Sequence, residues 1–196
     1  MTSYCALLRG IGPSDPNMRN DRLRGVFTRL GFADVASVIS SGNILFRTDE
    51  PHDAALLEDR IQAALQQDLG IEGGTILRTR AELQALVDLD PFAGFTHGKS
   101  TYLTVTFCKH PLDPASEPFP EPDLPGARVL GYDDDARAVL AITDTTGVKT
   151  PDLMSWLQRR LGTGITTRTW LTVTRILNKL PQEDSRPAGV GPPRGT

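Results

Sequence analysis

The sequence predicts an α+β protein made of two tandem βαββαβ-type halves with antiparallel sheets, completed by a C-terminal helix. Three observations carry this. Short β-branched and aromatic runs alternate with Leu, Val and Ile stripes at helical spacing. Gly, Pro, Asn and Asp clusters separate the runs. Over residues 1–80 the runs follow the order strand, helix, strand, strand, helix, strand.

"SYCALLRG" (3–10) reads as a buried strand and "IGPSDPN" (11–17) as a loop. Leu23, Val26, Phe27 and Leu30 form one helical stripe, closed by Gly31. "DVASVIS" and "NILFRT" are a second and a third strand, joined by Ser40-Ser41-Gly42-Asn43, where Gly and Asn supply the positive φ of a tight turn. Leu57, Ile61, Leu65 and Leu69 recur every four residues in a helix over 51–69, ended by Gly70, and "GTILRT" (74–79) is a fourth strand. This is the ferredoxin-like order, two helices on one face of a four-stranded sheet.

Thr79 and Glu82 form a capping box for a helix that stops before Pro91. "TYLTVTFC" (101–108) is a long strand, the acidic, Pro-rich 113–126 an irregular connection, and "ARVLGY" and "RAVLAIT" a hairpin around Asp133-Asp134-Asp135. Thr150 and Pro151 open a helix as N-cap and first residue, with Leu153, Leu157 and Leu161 inward and Gly162 at its end. A last helix runs from about Thr169 to Leu180. Residues 1–80 are thus an N-terminal ferredoxin-like half and 81–180 a C-terminal α+β half. The second layout is a shortened copy of the first, with no clear residue-level repeat. Residues 181–196 lack apolar periodicity and read as a disordered tail.

Of the 196 residues, 39% are hydrophobic and 23% charged, with a net charge of −3, so the composition is that of a soluble globular chain and argues against nucleic acid. The charge is uneven: 111–137 is acidic and 149–180 basic, which suits either an anionic ligand or a basic region that simply faces the acidic one or solvent. Cys5 and Cys108 sit in apolar runs and read as buried hydrophobes, fitting a reducing cytoplasm. "CALL" meets Arg9 at once and is neither a signal peptide nor a membrane span. His52, His97 and His110 are scattered, with no metal-ligand spacing, so no metal or cofactor is expected. No phosphate-loop, nucleophile-elbow or zinc-protease motif occurs.

Three polar segments remain. Arg9 closes an apolar strand, as a ligand clamp or a partner for a carboxylate. "SSGN" places two hydroxyls beside Asn43. "TTRTW" (166–170) gathers threonine hydroxyls, Arg168 and the backbone N–H groups of a helix start, the elements of an anion site or of a plain N-cap.

At these segments the chain resembles the DUF1697 family of bacterial proteins, whose function is not established. The motifs read "LLRGIG", "LGFADVASVISSGNILF" and "TTRTWLTVTRIL", and the resemblance spans roughly residues 1–180. It implies an α+β fold of ferredoxin-like halves. Its motif residues by position are Arg9, Gly10, Asn17, Ser41, Gly42, Asn43, Thr167, Arg168 and Trp170. The expected function is binding of a small anionic molecule near Arg9, Asn43 and Arg168, with Asn17, Ser41 and Thr167 contributing. The alternative is a non-catalytic module that engages a protein or nucleic acid through an open sheet face. No clear nucleophile is identified, because Ser41 has no base beside it.

Overall fold

The computed structural model describes residues 1–12, 14–39, 42–49, 53–113, 119–146 and 150–182. It contains two four-stranded antiparallel sheets and five helices. The first sheet comprises β1 (Thr2–Leu8), β2 (Ala33–Ser37), β3 (Asn43–Thr48) and β4 (Thr75–Thr79), in the order β2-β3-β1-β4. The second comprises β5 (Thr101–Cys108), β6 (Ala127–Asp133), β7 (Ala138–Asp144) and β8 (Ile165–Thr169), in the order β6-β7-β5-β8. The second sheet therefore repeats the strand order of the first.

The helices are α1 (Asn20–Arg29), α2 (Ala54–Leu69), α3 (Arg80–Asp88), α4 (Leu153–Leu161) and α5 (Trp170–Lys179). The expected stripes face inward: Leu23, Val26 and Phe27 of α1, Leu57, Ile61 and Leu65 of α2, Leu153 and Leu157 of α4 are buried. Thr79 and Glu82 cap α3 reciprocally: the Thr79 Oγ1 accepts from the Glu82 N–H at 3.1 Å, and the Thr79 N–H donates to Glu82 Oε2 at 2.7 Å.

Three expectations need correction. Helix α4 starts at Leu153 rather than at Pro151, because the Asp152 carboxylate accepts the Ser155 N–H at 3.0 Å and takes the N-cap role given to Thr150. Of residues 166–170, read as opening the last helix, 166–169 belong to the edge strand β8 while Thr169 caps α5 as expected; threonine is a good strand residue, but five residues without apolar alternation leave no periodic signal. Asn43 does not supply a positive φ; among the described residues of that turn Gly42 (φ 69°) and Ile39 (φ 60°) do. Ser40, Ser41 and His52 lie outside the described residues, as do 183–196 of the expected tail.

Three cores organise these layers. Helices α1 and α2 cover one face of the first sheet over an aromatic cluster in which Phe46 lies 4.5 Å from Phe32, 5.4 Å from Phe27 and 5.5 Å from Tyr4, centroid to centroid. The opposite face of the first sheet (Cys5, Leu7, Leu45) and one face of the second (Val105, Phe107, Leu140) share a core with α3 and α5. Helix α4 covers only part of the other face of the second sheet, over Cys108, Val139, Ala141 and Ile165. Between β5 and β6, the connection that corresponds to the one holding α1 between β1 and β2, the described residues contain no helix.

Gly42 is required twice over. Its φ of 69° is costly for any other residue, and a Cβ there would sit 2.6 Å from Ile11 Cγ1. Gly42→Ala is expected to destabilise the fold by about 2 kcal/mol, read from the midpoint of urea unfolding.

Candidate functional site

Asn43 and Arg168 meet, although 125 residues separate them. Asn43 opens β3 with its side chain 1% exposed. Its Nδ2 donates to Val38 O at 3.0 Å, closing its own turn, and its Oδ1 accepts from Arg168 Nε at 2.6 Å. Arg168, near the end of β8, also donates to Thr166 Oγ1, Thr167 O and Leu8 O, each at 2.8 Å. Burial lowers its pKa from the ordinary value, a shift opposed by the nearby Cys5. The guanidinium thus ties β8 to the end of β1 and to the β2–β3 turn.

Arg78 makes the reciprocal tie. It stands one residue before the end of β4, as Arg168 does in β8, and is fully buried. Its Nε donates to Ala136 O and its Nη2 to Cys108 O, each at 2.6 Å, while Nη1 donates to Leu77 O at 2.6 Å. Leu77 is the preceding residue, as Thr167 is for Arg168. Cys108 ends β5 as Leu8 ends β1, and Ala136 lies in the β6–β7 turn as Gly42 lies in the β2–β3 turn. Each sheet therefore sends one arginine into the strand end and turn of the other. Burial lowers the Arg78 pKa to about 10, which still leaves it charged at neutral pH.

A cleft of about 180 Å³ lies beside Arg168, lined by Arg9, Met154, Gln158, Thr166, Thr167 and Arg168 among others. Arg9 is held at its mouth by backbone packing: its N–H donates to Gly74 O at 2.9 Å, and a Cβ on Gly73 would fall 1.9 Å from Arg9 O. The Arg9 guanidinium has no hydrogen bond or ion pair to any described residue. Among the described residues, no carboxylate belongs to the cleft lining.

The equivalent place on the other sheet is filled. Lys109 follows β5 as Arg9 follows β1, and its N–H meets Gly164 O as that of Arg9 meets Gly74 O. Lys109 Nζ lies 2.8 Å from Asp59 Oδ1 and 3.8 Å from Glu58 Oε2. The Glu58 side chain reaches in from α2, and its Oε1 accepts the outward N–H of Leu77 at 2.8 Å. Burial raises its pKa, while the Leu77 amide, then Lys109, Arg78 and Arg137, pull it back down. At the Arg9 cleft the matching cations are Arg9 and Arg168. The matching strand residue is Thr167, which lies opposite Thr106 as Leu77 lies opposite Ala6, so its N–H points the same way. The α4 side chains that line the Arg9 cleft, Met154 and Gln158, are both uncharged.

Of the residues singled out in the sequence, Arg9, Thr167 and Arg168 line one cleft, and Asn43 is packed behind Arg168. Asn17 lies elsewhere, exposed in a 3-10 turn (Pro16–Met18), with its N–H on Asp15 Oδ1. Ser41 lies outside the described residues. Both cysteines are buried, with pKa values pushed up to about 12 for Cys5 and about 11 for Cys108, so neither offers a thiolate at neutral pH. His97 Nδ1 accepts the Leu103 N–H at 3.2 Å. The described residues include no group of three His, Cys, Asp or Glu side chains able to hold a metal, and no helix long and apolar enough to cross a membrane. Sequence reasoning missed Arg78, Glu58 and Gln158. The signal for Arg78 was present: Arg-Thr ends β4 and β8 alike, just before a helix.

The three motif segments meet at this cleft and the clamp beside it. The profile of a family described only as a protein of unknown function, DUF1697, matches residues 1–122. The chain belongs to the DUF1697 family. A conserved bacterial protein from Streptococcus pneumoniae has a similar structure, with a TM-score of 0.62 at 19% identity over 91% of this chain and 97% of that chain. At that identity the likeness speaks for the fold alone. No curated protein matches this DUF1697 chain in sequence. The "SGN" and "TTR" signatures are, in this DUF1697 protein, the two sides of the Asn43–Arg168 contact.

Proposed function

We propose that this DUF1697 protein binds a small anionic molecule in the cleft between Arg9 and Arg168, within a fold of two ferredoxin-like halves, residues 1–80 and 81–180. The repeated strand order supports the division into halves. One observation carries the binding site: Arg9 has no partner among the described residues, whereas Lys109, its counterpart, is neutralised by Asp59 and Glu58. A half-buried arginine with no counter-charge among the described residues is an arrangement that a bound anion would complete. The Thr166 and Thr167 hydroxyls are already engaged, to Arg168 Nη1 and Thr106 Oγ1 at 2.8 Å each. The Thr167 N–H and the Gln158 amide are the remaining donors.

Arg168 is a wall of this site rather than its clamp, because its donors are committed to the protein. Asn43 positions Arg168. Asn17 has no part in the cleft, and the contribution of Ser41 stays within the proposal. Two buried free cysteines suit a reducing cytoplasm. The module reading is less supported, because one face of each sheet is buried in the shared core.

The test is thermal shift against acetate, phosphate and chloride at constant ionic strength. An anion at about 100-fold over its Kd is expected to raise Tm by about 5–10 °C. Arg9→Met, which disturbs no described hydrogen bond of the side chain, is expected to keep the parent Tm and lose the shift. No shift with any anion, or an undiminished shift in Arg9→Met, would overturn the reading.

A further inference from the structure

A second cavity, of about 420 Å³, opens on the same side of the second sheet and meets the Arg9 cleft at Thr167 and Met154, which line both. Its floor is the sheet face beside α4, Tyr102, Thr104, Thr106, Thr143 and Thr167, and the start of α4 forms a wall. The volume falls within the ordinary range for small-molecule sites.

Its origin lies in the repeated layout. Residue by residue along the paired strands, Tyr4, Ala6 and Leu77 of the first sheet correspond to Thr104, Thr106 and Thr167 of the second. Phe46, at the centre of the first aromatic core, corresponds to Ala141. The first half fills this space with Tyr4, Phe46 and the α1 side chain Phe27. Among its described residues the second half has no counterpart of α1, and it carries small, hydroxyl-bearing residues in place of the large ones. A core missing its packing partners would collapse or be filled with large apolar side chains. Here the floor is instead made of threonines, whose methyl groups accept apolar contact and whose hydroxyls accept a polar substituent. Thr106 pairs with Thr167 at 2.8 Å, and Thr104 Oγ1 donates to Ala141 O at 3.3 Å. The Thr143 hydroxyl has no partner among the described residues.

We propose that the two cavities form one site for an amphipathic carboxylate: the carboxylate on Arg9 in the place that Glu58 fills in the first half, and a compact, largely apolar body over the threonine floor. The inference rests on the anion reading and adds the ligand class to it. A carboxylate is favoured over a phosphate because the molecule's own occupant of the equivalent position is a carboxylate, seated on one outward strand amide and one cation.

The experiment compares acetate, inorganic phosphate, 3-phenylpropionate and the neutral 3-phenylpropionamide by calorimetry and by methyl NMR of the threonines. 3-Phenylpropionate is expected to bind on the order of 100-fold more tightly than acetate, what roughly three to four fully buried methylene equivalents supply at about fourfold each. It is expected to shift the Thr106 and Thr143 methyl signals, and the amide to bind at least tenfold more weakly. Thr104→Tyr, which installs the residue that the first half carries, is expected to bring 3-phenylpropionate down to the level of acetate and leave acetate unchanged. If acetate binds through Arg9 but 3-phenylpropionate gains nothing and leaves the threonine methyls unmoved, the cavity inference fails and the anion reading stands. Tighter binding of phosphate than of either carboxylate also overturns it. If no anion binds in an Arg9-dependent way, the anion reading itself fails. The methyl signals of the unmutated protein decide the matter should Thr104→Tyr not fold.

Discussion

Arg78→Ala is expected to lower the stability of the protein by about 3–5 kcal/mol, from buried carbonyls left without a donor and the void left by a large side chain. The side chain is fully buried, and its guanidinium serves the carbonyls of Ala136, Cys108 and Leu77. Truncation leaves those carbonyls without their donor, at about 1–3 kcal/mol for each that stays buried and dry. It also opens a void beside the Phe107 ring, whose centroid lies 5.5 Å from the guanidinium carbon. Replacement by methionine would refill the void and still leave the acceptors bare, so Arg78→Met is expected to recover less than half of the loss. Arg78→Lys supplies one ammonium for a fork that reaches two strands and a turn, and is expected to fall between the two. Urea unfolding monitored by circular dichroism measures all three. A loss below about 1 kcal/mol in Arg78→Ala would sink the claim that the guanidinium holds the sheets together.

Arg168→Ala is expected to cost about 2–4 kcal/mol, somewhat less because Arg168 is only partly buried. Its distinguishing signature is coupling. Asn43 Oδ1 receives its donor from Arg168, so a double-mutant cycle with Asn43→Ala should return an interaction energy of about 1–3 kcal/mol. A cycle pairing Arg168→Ala with Arg78→Ala tests whether the two ties act independently. They use different acceptors, Leu8 and Asn43 on one side, Cys108 and Ala136 on the other. Additive losses would mean two separate links, and a second loss much smaller than the first would mean one concerted interface. A coupling near zero between Arg168 and Asn43 would return the "SGN" motif to the role of a simple turn.

Periodicity carried the fold well where it was strong. The strand 101–108, the strand 43–48 and the capping box at Thr79 stand as the sequence indicates, because β-branched runs and paired cap residues are local signals. Strand β8 was lost because its edge position and threonine content carry no alternation. The N-cap of α4 was misplaced by one competitor: Asp152 reaches the Ser155 amide, and a Thr-Pro pair two residues earlier mimics the same signal. The site was half legible. Arg9 was flagged as a charge closing an apolar strand, Thr167 and Arg168 as part of a helix-opening anion motif, and the three do line one cleft. That Arg168 is consumed by the protein while Arg9 is not depends on partners 125 and 160 residues away, which no local pattern encodes. The Glu58 comparison needs both sheets superimposed in the mind, and a difference between equivalent sites is invisible one residue at a time.

The crossed arginines set an order of events during synthesis. Leu8 and Asn43 leave the ribosome early, yet the donor that completes them is Arg168, 160 residues after Leu8. At about 5–20 residues per second that is a wait of roughly 8–32 s. Within that interval the nascent first sheet carries its own arginine, Arg78, whose acceptors on the second sheet, Cys108 and Ala136, emerge only later. Neither half of this chain has a finished interior before the other exists, so the molecule should melt in one cooperative step, and a nascent chain cut short before β8 should look to a protease like an unfinished product.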